Sequence, residues 1–288
     1  MARTVQQDHG LDEAREQIRE VWETMAPGWE ARRAYLAELS KDITSWLVDR
    51  LEPKPGQTIL ELAAGPGDTG FAAARRIGEN GRLISTDLAP AMVEVARRRA
   101  AEVGVTNAEF RVLDAERNDL ATDSVDGVLC RWGYSLVLDP LKALTETRRV
   151  LRRGGTHTLS VMASPQENPW GSLMMRSVVG LGLIPPPDPR HPGGLFSLAD
   201  HDDLHKVIDE AGFSHIEIED AAFRLRFTGF DDYWRFILEF AGGVSALLRS
   251  FPPDTLAKVC DATAAAIAEF RVGEGYEFPA LTVNAAAR

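Results

Sequence analysis

The chain changes rhythm twice. Between residues 11 and 51 apolar positions recur at helical spacing: Leu11, Ile18, Val21 and Trp22, then Tyr35, Leu36 and Leu39, then Ile43, Leu47 and Leu51. This spacing predicts three helices, with a break at Pro27-Gly28, a second run from about Trp29, and Ser40 capping the third. Pro53-Lys54-Pro55-Gly56 ends the helical preface. From Thr58 short apolar runs alternate with helical ones. Strands are expected at 58–62, 82–85, 108–113, 125–130 and 156–162. The helix after the fourth strand should be capped by Asp139-Pro140, and Gly154-Gly155 should turn the chain into the fifth strand. Residues 164–195 break the rhythm with an apolar helical segment (Leu173, Met174, Met175, Val178, Val179) and the run Pro185-Pro186-Pro187-Asp188-Pro189. A helix capped by Ser197 and stopped at Gly212 follows, then an alternating strand from His215 to Phe227. Helices around 233–240 and 255–270 and a strand at 280–284 complete the pattern.

Five strands alternating with helices imply right-handed βαβ units and a parallel sheet. The expected fold is α/β: a doubly wound, Rossmann-like, mostly parallel sheet of seven strands. Residues 1–55 would form a helical lid and 56–288 the main domain. The insert 164–195 and the C-terminal helices would add to its binding pocket. Ligands of such sheets lie at the C-terminal strand ends.

Composition narrows the ligand. The 288 residues are 44% apolar and 26% charged, which excludes wholesale disorder. Two cysteines, Cys130 and Cys260, cannot build a disulfide framework or a cysteine-rich zinc site. The net charge of −11 disfavours nucleic acid and anionic membranes. The first residues hold no apolar leader core, and Val178 to Ile184 falls far short of the ~20 residues that span a bilayer. The expectation is a soluble, cytoplasmic protein with a small-molecule ligand, no nucleic acid partner and no membrane span; its oligomeric state is left open.

Chemistry concentrates after the first strand, in Glu61-Leu62-Ala63-Ala64-Gly65-Pro66-Gly67-Asp68-Thr69-Gly70. Its glycines allow a tight turn and close approach of a ligand. Asp87 ends the second strand 20 residues after Gly67, where a ribose acceptor belongs. These features fit a nicotinamide dehydrogenase and a nucleoside-binding transferase equally. Three details favour the transferase. Pro66 removes an N–H that a pyrophosphate would use. Glu61 would repel a phosphate but attract an ammonium or sulfonium. Asp114 ends the third strand, where it can accept from the amine of adenine while Ala115 N–H donates to the ring. Three acids suit a cationic, phosphate-free nucleoside such as S-adenosylmethionine.

At these residues the chain resembles the class I S-adenosylmethionine-dependent methyltransferases, most of all the ubiquinone/menaquinone C-methyltransferase-like group acting on small molecules. The likeness runs through the 59–70 loop, Thr86-Asp87-Leu88-Ala89-Pro90-Ala91-Met92, Asp114-Ala115 and Arg149-Val150-Leu151-Arg152-Arg153-Gly154-Gly155. It extends to Phe196-Ser197-Leu198-Ala199-Asp200 and Ala211-Gly212-Phe213. The resemblance implies that 56–288 is a methyltransferase domain with S-adenosylmethionine as cofactor and S-adenosylhomocysteine as product. Glu61, Ala63, Gly65 and Gly67 would surround the methionine part. Asp87 would take both ribose hydroxyls, Leu88 and Met92 would pack on adenine, and Asp114 with Ala115 would read its edge. Arg131 and Trp132 would line the methyl-transfer site, and Trp22 and Trp29 would be lid aromatics.

Methyl transfer from a sulfonium is an in-line displacement that asks chiefly for positioning and exclusion of water. A base is needed only where the acceptor must lose a proton. Some relatives carry a histidine shortly after the fourth strand, but Gly133-Tyr134-Ser135-Leu136-Val137-Leu138 has none. His191, then Tyr134, are the candidate bases. His157, inside a strand, reads as a core residue. His201 and His205 read as a solvated helix face, so no metal is expected. The apolar insert 170–184 and Phe223, Phe227, Phe230, Tyr233, Trp234 and Phe240 suggest a hydrophobic or aromatic acceptor, methylated on O, N or C. Three other readings stay open: a nicotinamide-dependent oxidoreductase, a non-catalytic protein that keeps the cofactor pocket, and a protein methyltransferase.

Overall fold

A computed structural model describes the backbone of residues 2–288 and the side chains from Gly10 onward. Three helices open the chain: α1 (Ala2–Ala31), α2 (Arg33–Leu39) and α3 (Lys41–Leu51). The first break falls at Arg32, not at Pro27-Gly28 as expected, because α1 continues through Pro27. A proline there removes one helical hydrogen bond and leaves the rest of the helix in place. Ser40 does not cap α3 with its side chain; its hydroxyl donates back to Leu36 O at 2.8 Å.

The alternating region follows as β1 (Thr58–Leu62), α4 (Asp68–Ile77), β2 (Arg82–Asp87), α5 (Pro90–Val103), β3 (Ala108–Val112), β4 (Val125–Arg131), α6 (Pro140–Val150) and β5 (Leu151–Met162). Next come α7 (Pro169–Gly180), α8 (His201–Glu210), β6 (Glu217–Phe227), α9 (Phe230–Phe240), α10 (Gly243–Ser250), α11 (Pro253–Ala266), β7 (Arg271–Val272) and β8 (Gly275–Ala287). The sheet runs β3-β2-β1-β4-β5-β8-β6, with the two-residue β7 pairing β8 at the side. β1 to β5 are mutually parallel, and β8 enters antiparallel between β5 and β6. The fold is therefore the expected Rossmann-like α/β architecture, with the small β7 added to the seven main strands.

Local chemistry explains several boundaries. Asp139 caps α6 by accepting from Lys142 N at 3.0 Å, with Pro140 at the first helical position. Asp200, and not Ser197, caps α8 through the N–H groups of Asp202 and Asp203. The Ser197 hydroxyl instead donates to Ser135 O. β5 starts at Leu151 and takes Gly154 into the strand at a register irregularity, so the expected turn is a bulge.

Two layers cover the sheet. α3, α4 and α5 bury Val48, Leu51, Phe71, Ile77, Ala96 and Ala100 on one face, and α6 and α8 bury Leu144, Leu204 and Ile208 on the other. The C-terminal strand edge has its own cover. α1 packs there against α5 and α9, and α7 packs against α11. Among the described residues no helix is long and apolar enough to cross a membrane.

Candidate active site

The glycine loop between β1 and α4 is held from both sides by acids. Asp87 accepts from Gly65 N at 3.0 Å and from Ala89 N at 3.1 Å, one bond to each carboxylate oxygen. A carboxylate has about four acceptor positions, which leaves room for a hydroxyl donor beside these bonds. Burial raises the pKa of Asp87, against the pull of these N–H groups. Gly65 and Gly67 adopt φ of +53° and +85°, the left-handed region open to glycine at no steric cost.

Glu61 lies beneath the loop. Its oxygens accept from Gly70 N at 2.6 Å and Ser85 Oγ at 2.8 Å. A Cβ on Gly70 would stand 2.1 Å from this carboxylate, so glycine is what lets α4 come so close. Burial outweighs both donated bonds and pushes the Glu61 pKa up to about 8. Glu61 thus works as a clamp joining β1, β2 and α4.

At the third strand, Asp114 accepts from Glu116 N at 2.8 Å and lies 3.4 Å from Arg15 Nε. Glu116, which the sequence reading passed over, is the better buried acid. It takes Leu138 N at 2.8 Å, Asp139 N at 3.2 Å and the Arg15 guanidinium. One carboxylate thereby joins the loop after β3, the segment after β4 and α1. The only sequence signal was its place beside Asp114, and nothing pointed to Arg15.

The helical cover sits directly over the loop. A Cβ on Gly65 would lie 3.5 Å from the Trp29 ring, which stacks on Phe240 at 4.2 Å and meets Trp22 edge-on at 6.0 Å. Met92 packs with Met25 and Ala26 of α1, and Glu23 accepts from Ala91 N at 2.9 Å. Leu88 and Ala115 are partly exposed, and Ala63 (φ +50°) is exposed at the tip of β1. Trp132 (φ +65°) follows β4, stacked 6.1 Å from Phe223. Two tips in a region that non-glycine residues avoid mark this edge as strained, as functional sites often are.

The candidate bases stand apart from this constellation. Tyr134 is fully buried and its hydroxyl bonds to Thr147 Oγ1 at 2.7 Å. Burial raises its pKa well above the phenol range, which corrects the expectation of a base there. His191 is exposed on its turn, with Nδ1 2.7 Å from Pro192 O. His157 is a core residue whose burial lowers its pKa to about 4, and His201 meets Asp220 at 2.8 Å on the surface.

Residues 59–155 match the family described as a methyltransferase domain. The chain is 32% identical over 165 residues to an arsenite methyltransferase of Halobacterium salinarum, covering 57% of this chain and 39% of that protein. It is 29% identical over 155 residues to the ubiquinone/menaquinone biosynthesis C-methyltransferase UbiE of Hydrogenovibrio crunogenus, covering 50% and 58%. The chain thus spans about half the length of these curated relatives. Its fold resembles that of YcgJ from Bacillus subtilis, with a TM-score of 0.57, 20% identity, and coverage of 85% of this chain and 96% of that one.

The likeness to methyltransferases implies S-adenosylmethionine as cofactor. The residues present fit it. Asp87 offers free lone pairs, the loop backbone is open to close approach, and the buried Trp29 Nε1 above Gly65 has no partner.

Proposed function

We propose that this protein moves a methyl group from S-adenosylmethionine to a small, largely apolar, aromatic acceptor on O, N or C. The observation that carries the reading is the stacking of Trp29 on Phe240 directly over a glycine loop whose Gly65 N–H is held by Asp87. Asp87 would hold the ribose hydroxyls. Asp114 and Ala115 would meet the adenine edge, with Leu88 and Met92 against its face. When bound, the donor supplies an electrophilic methyl on a sulfonium with a neutral leaving group. Trp29, Trp22 and Phe240 exclude water from above, and Trp132 and Phe223 offer a flat aromatic wall to the acceptor. With Tyr134 committed to Thr147 and His191 exposed, the chain contributes orientation in place of a base.

Calorimetry with S-adenosylhomocysteine and nicotinamide dinucleotides tests the first step, and micromolar binding of the former alone is expected. Preference for a dinucleotide would replace this reading with an oxidoreductase. Transfer of a labelled methyl group to a panel of phenols, quinols and aromatic amines tests the second. Donor binding without transfer to any of them would favour the non-catalytic reading.

A further inference from the structure

Where α1 crosses the loop after β3 its contact is ionic. Arg15 is buried there, and a buried guanidinium needs anions that are themselves held in place. Glu116 accepts from its Nη2 and is fixed in turn by Leu138 N and Asp139 N. Asp12, one turn earlier on α1, lies 3.4 Å from Arg15 Nη1 and 2.6 Å from Arg117 Nη2 of the same loop. Asp12 and Arg117 are exposed, and an exposed pair contributes little. The buried Arg15–Glu116 pair is therefore the stronger tie of α1 to this loop.

Arg15 acts on Asp114 in another way. Asp114 Oδ1 accepts from Glu116 N at 2.8 Å, while Oδ2 lies 3.4 Å from Arg15 Nε. That distance attracts without closing a hydrogen bond, and Nε is buried with no hydrogen-bond partner. Among the described residues Arg15 is the one cation within ion-pair distance of Asp114. It thus orients the carboxylate by charge and leaves acceptor positions on Oδ2 for another donor. It also offsets the repulsion between Asp114 and Glu116, which share the short turn closed by Arg117 N and Asp114 O.

Further along α1, Met25 and Ala26 pack with Met92, and Glu23 accepts from Ala91 N at 2.9 Å at the start of α5, which has no side-chain cap of its own. One helix therefore touches Asp114, assigned to the edge of the adenine, and Met92, assigned to its face. We propose that Arg15 is a positioning residue for adenine: it aims Asp114 at the exocyclic amine of the donor and, as part of α1, ties the docking of the helical cover to the identity of the base. The assignment rests on the cofactor reading above and deepens it.

The test is calorimetry on the full chain with S-adenosylhomocysteine and with S-inosylhomocysteine, in which a carbonyl oxygen replaces the exocyclic amine. The wild type should prefer the adenosyl compound on the order of 100-fold, because a carboxylate accepts from an amine and repels a carbonyl. Arg15→Met should cut that preference to about tenfold or less, by weakening S-adenosylhomocysteine while S-inosylhomocysteine changes by less than about twofold. Arg15→Lys should recover part of the preference, because it restores the charge without the planar fork. Equal losses for both ligands would make Arg15 a merely structural residue and overturn the assignment, as would an unchanged preference. Should Arg15→Met not fold, amide hydrogen exchange of the wild type decides. By reciprocity, a ligand that uses Asp114 steadies the helix that positions it, so saturating S-adenosylhomocysteine should slow exchange in α1 about tenfold more than saturating S-inosylhomocysteine. Equal protection by the two refutes the coupling. A wild type that binds both compounds equally overturns the role given to Arg15 and leaves the cofactor reading standing. A wild type that binds neither defeats the cofactor reading itself.

Discussion

The C-terminal edge of the sheet is built in two manners. Over β1, β2 and β3 it is polar and made of short-range bonds: Asp87 holds Gly65 and Ala89, Glu61 holds Gly70, and Asp114 holds the N–H two residues on. Over β4, β5, β6 and β8 it is aromatic and made of contacts between distant residues. Trp132 meets Phe223, Trp170 meets Phe236, and Tyr233 bonds to Trp170 O at 2.8 Å. The polar half fixes backbone atoms in place. The aromatic half fixes volume, and volume can be redistributed without disturbing the loop. In the proposed function, donor recognition and structural cohesion fall to different halves.

Substitutions should separate the two. Trp170→Ala removes a fully buried ring from the aromatic half, and urea unfolding should show a loss of about 3–5 kcal/mol with the affinity for S-adenosylhomocysteine nearly kept. A large loss of affinity in a protein of normal stability would break the division. Asp87→Asn should do the converse. Its calorimetric Kd for S-adenosylhomocysteine should rise on the order of 100-fold, the scale of losing hydrogen bonds to a charge, with the melting temperature little moved.

Glu61→Gln gives the smallest effect, visible as a change of slope. Glu61 has a folded pKa of about 8, above its ordinary 4.5, so the folded state binds its proton more tightly. The stability this contributes is complete below about pH 4.5 and is lost as pH rises through about 8. His157, pushed down to about 4 from 6.5, acts oppositely, but only between those values. Between pH 6.5 and 8 Glu61 should dominate, and wild-type stability should fall there by about 1–2 kcal/mol while Glu61→Gln stays flatter. Equal slopes for the two proteins would show that Glu61 is ionised in the folded state.

Legibility in the sequence follows the same division. The alternation of strands and helices, the glycine loop and the three strand-tip acids could be read directly, because turns and acceptors act over a few residues. The helix break at Arg32 could not, since α1 tolerates Pro27 while it docks on α5 and α9. Glu116 was missed because its partners, Leu138, Asp139 and Arg15, lie 22 or more residues away along the chain. Phe240 over Trp29 was out of reach for the same reason: periodicity shows that a ring is apolar, not which ring it will meet. The sequence placed Glu61 at the loop but not its orientation, which became clear only with Gly70 pressed against it.

The junction of β1 and β4 bears on how such a protein diversifies. A Cβ on Gly133 would sit 2.6 Å from both Ala63 Cβ and Cys130 Sγ, and Trp132 beside it already holds a left-handed backbone. This corner has no slack in which a mutational library could find new shapes. Randomising positions 130–133 should yield misfolded clones, so sequence variation has to enter this edge of the sheet from other positions.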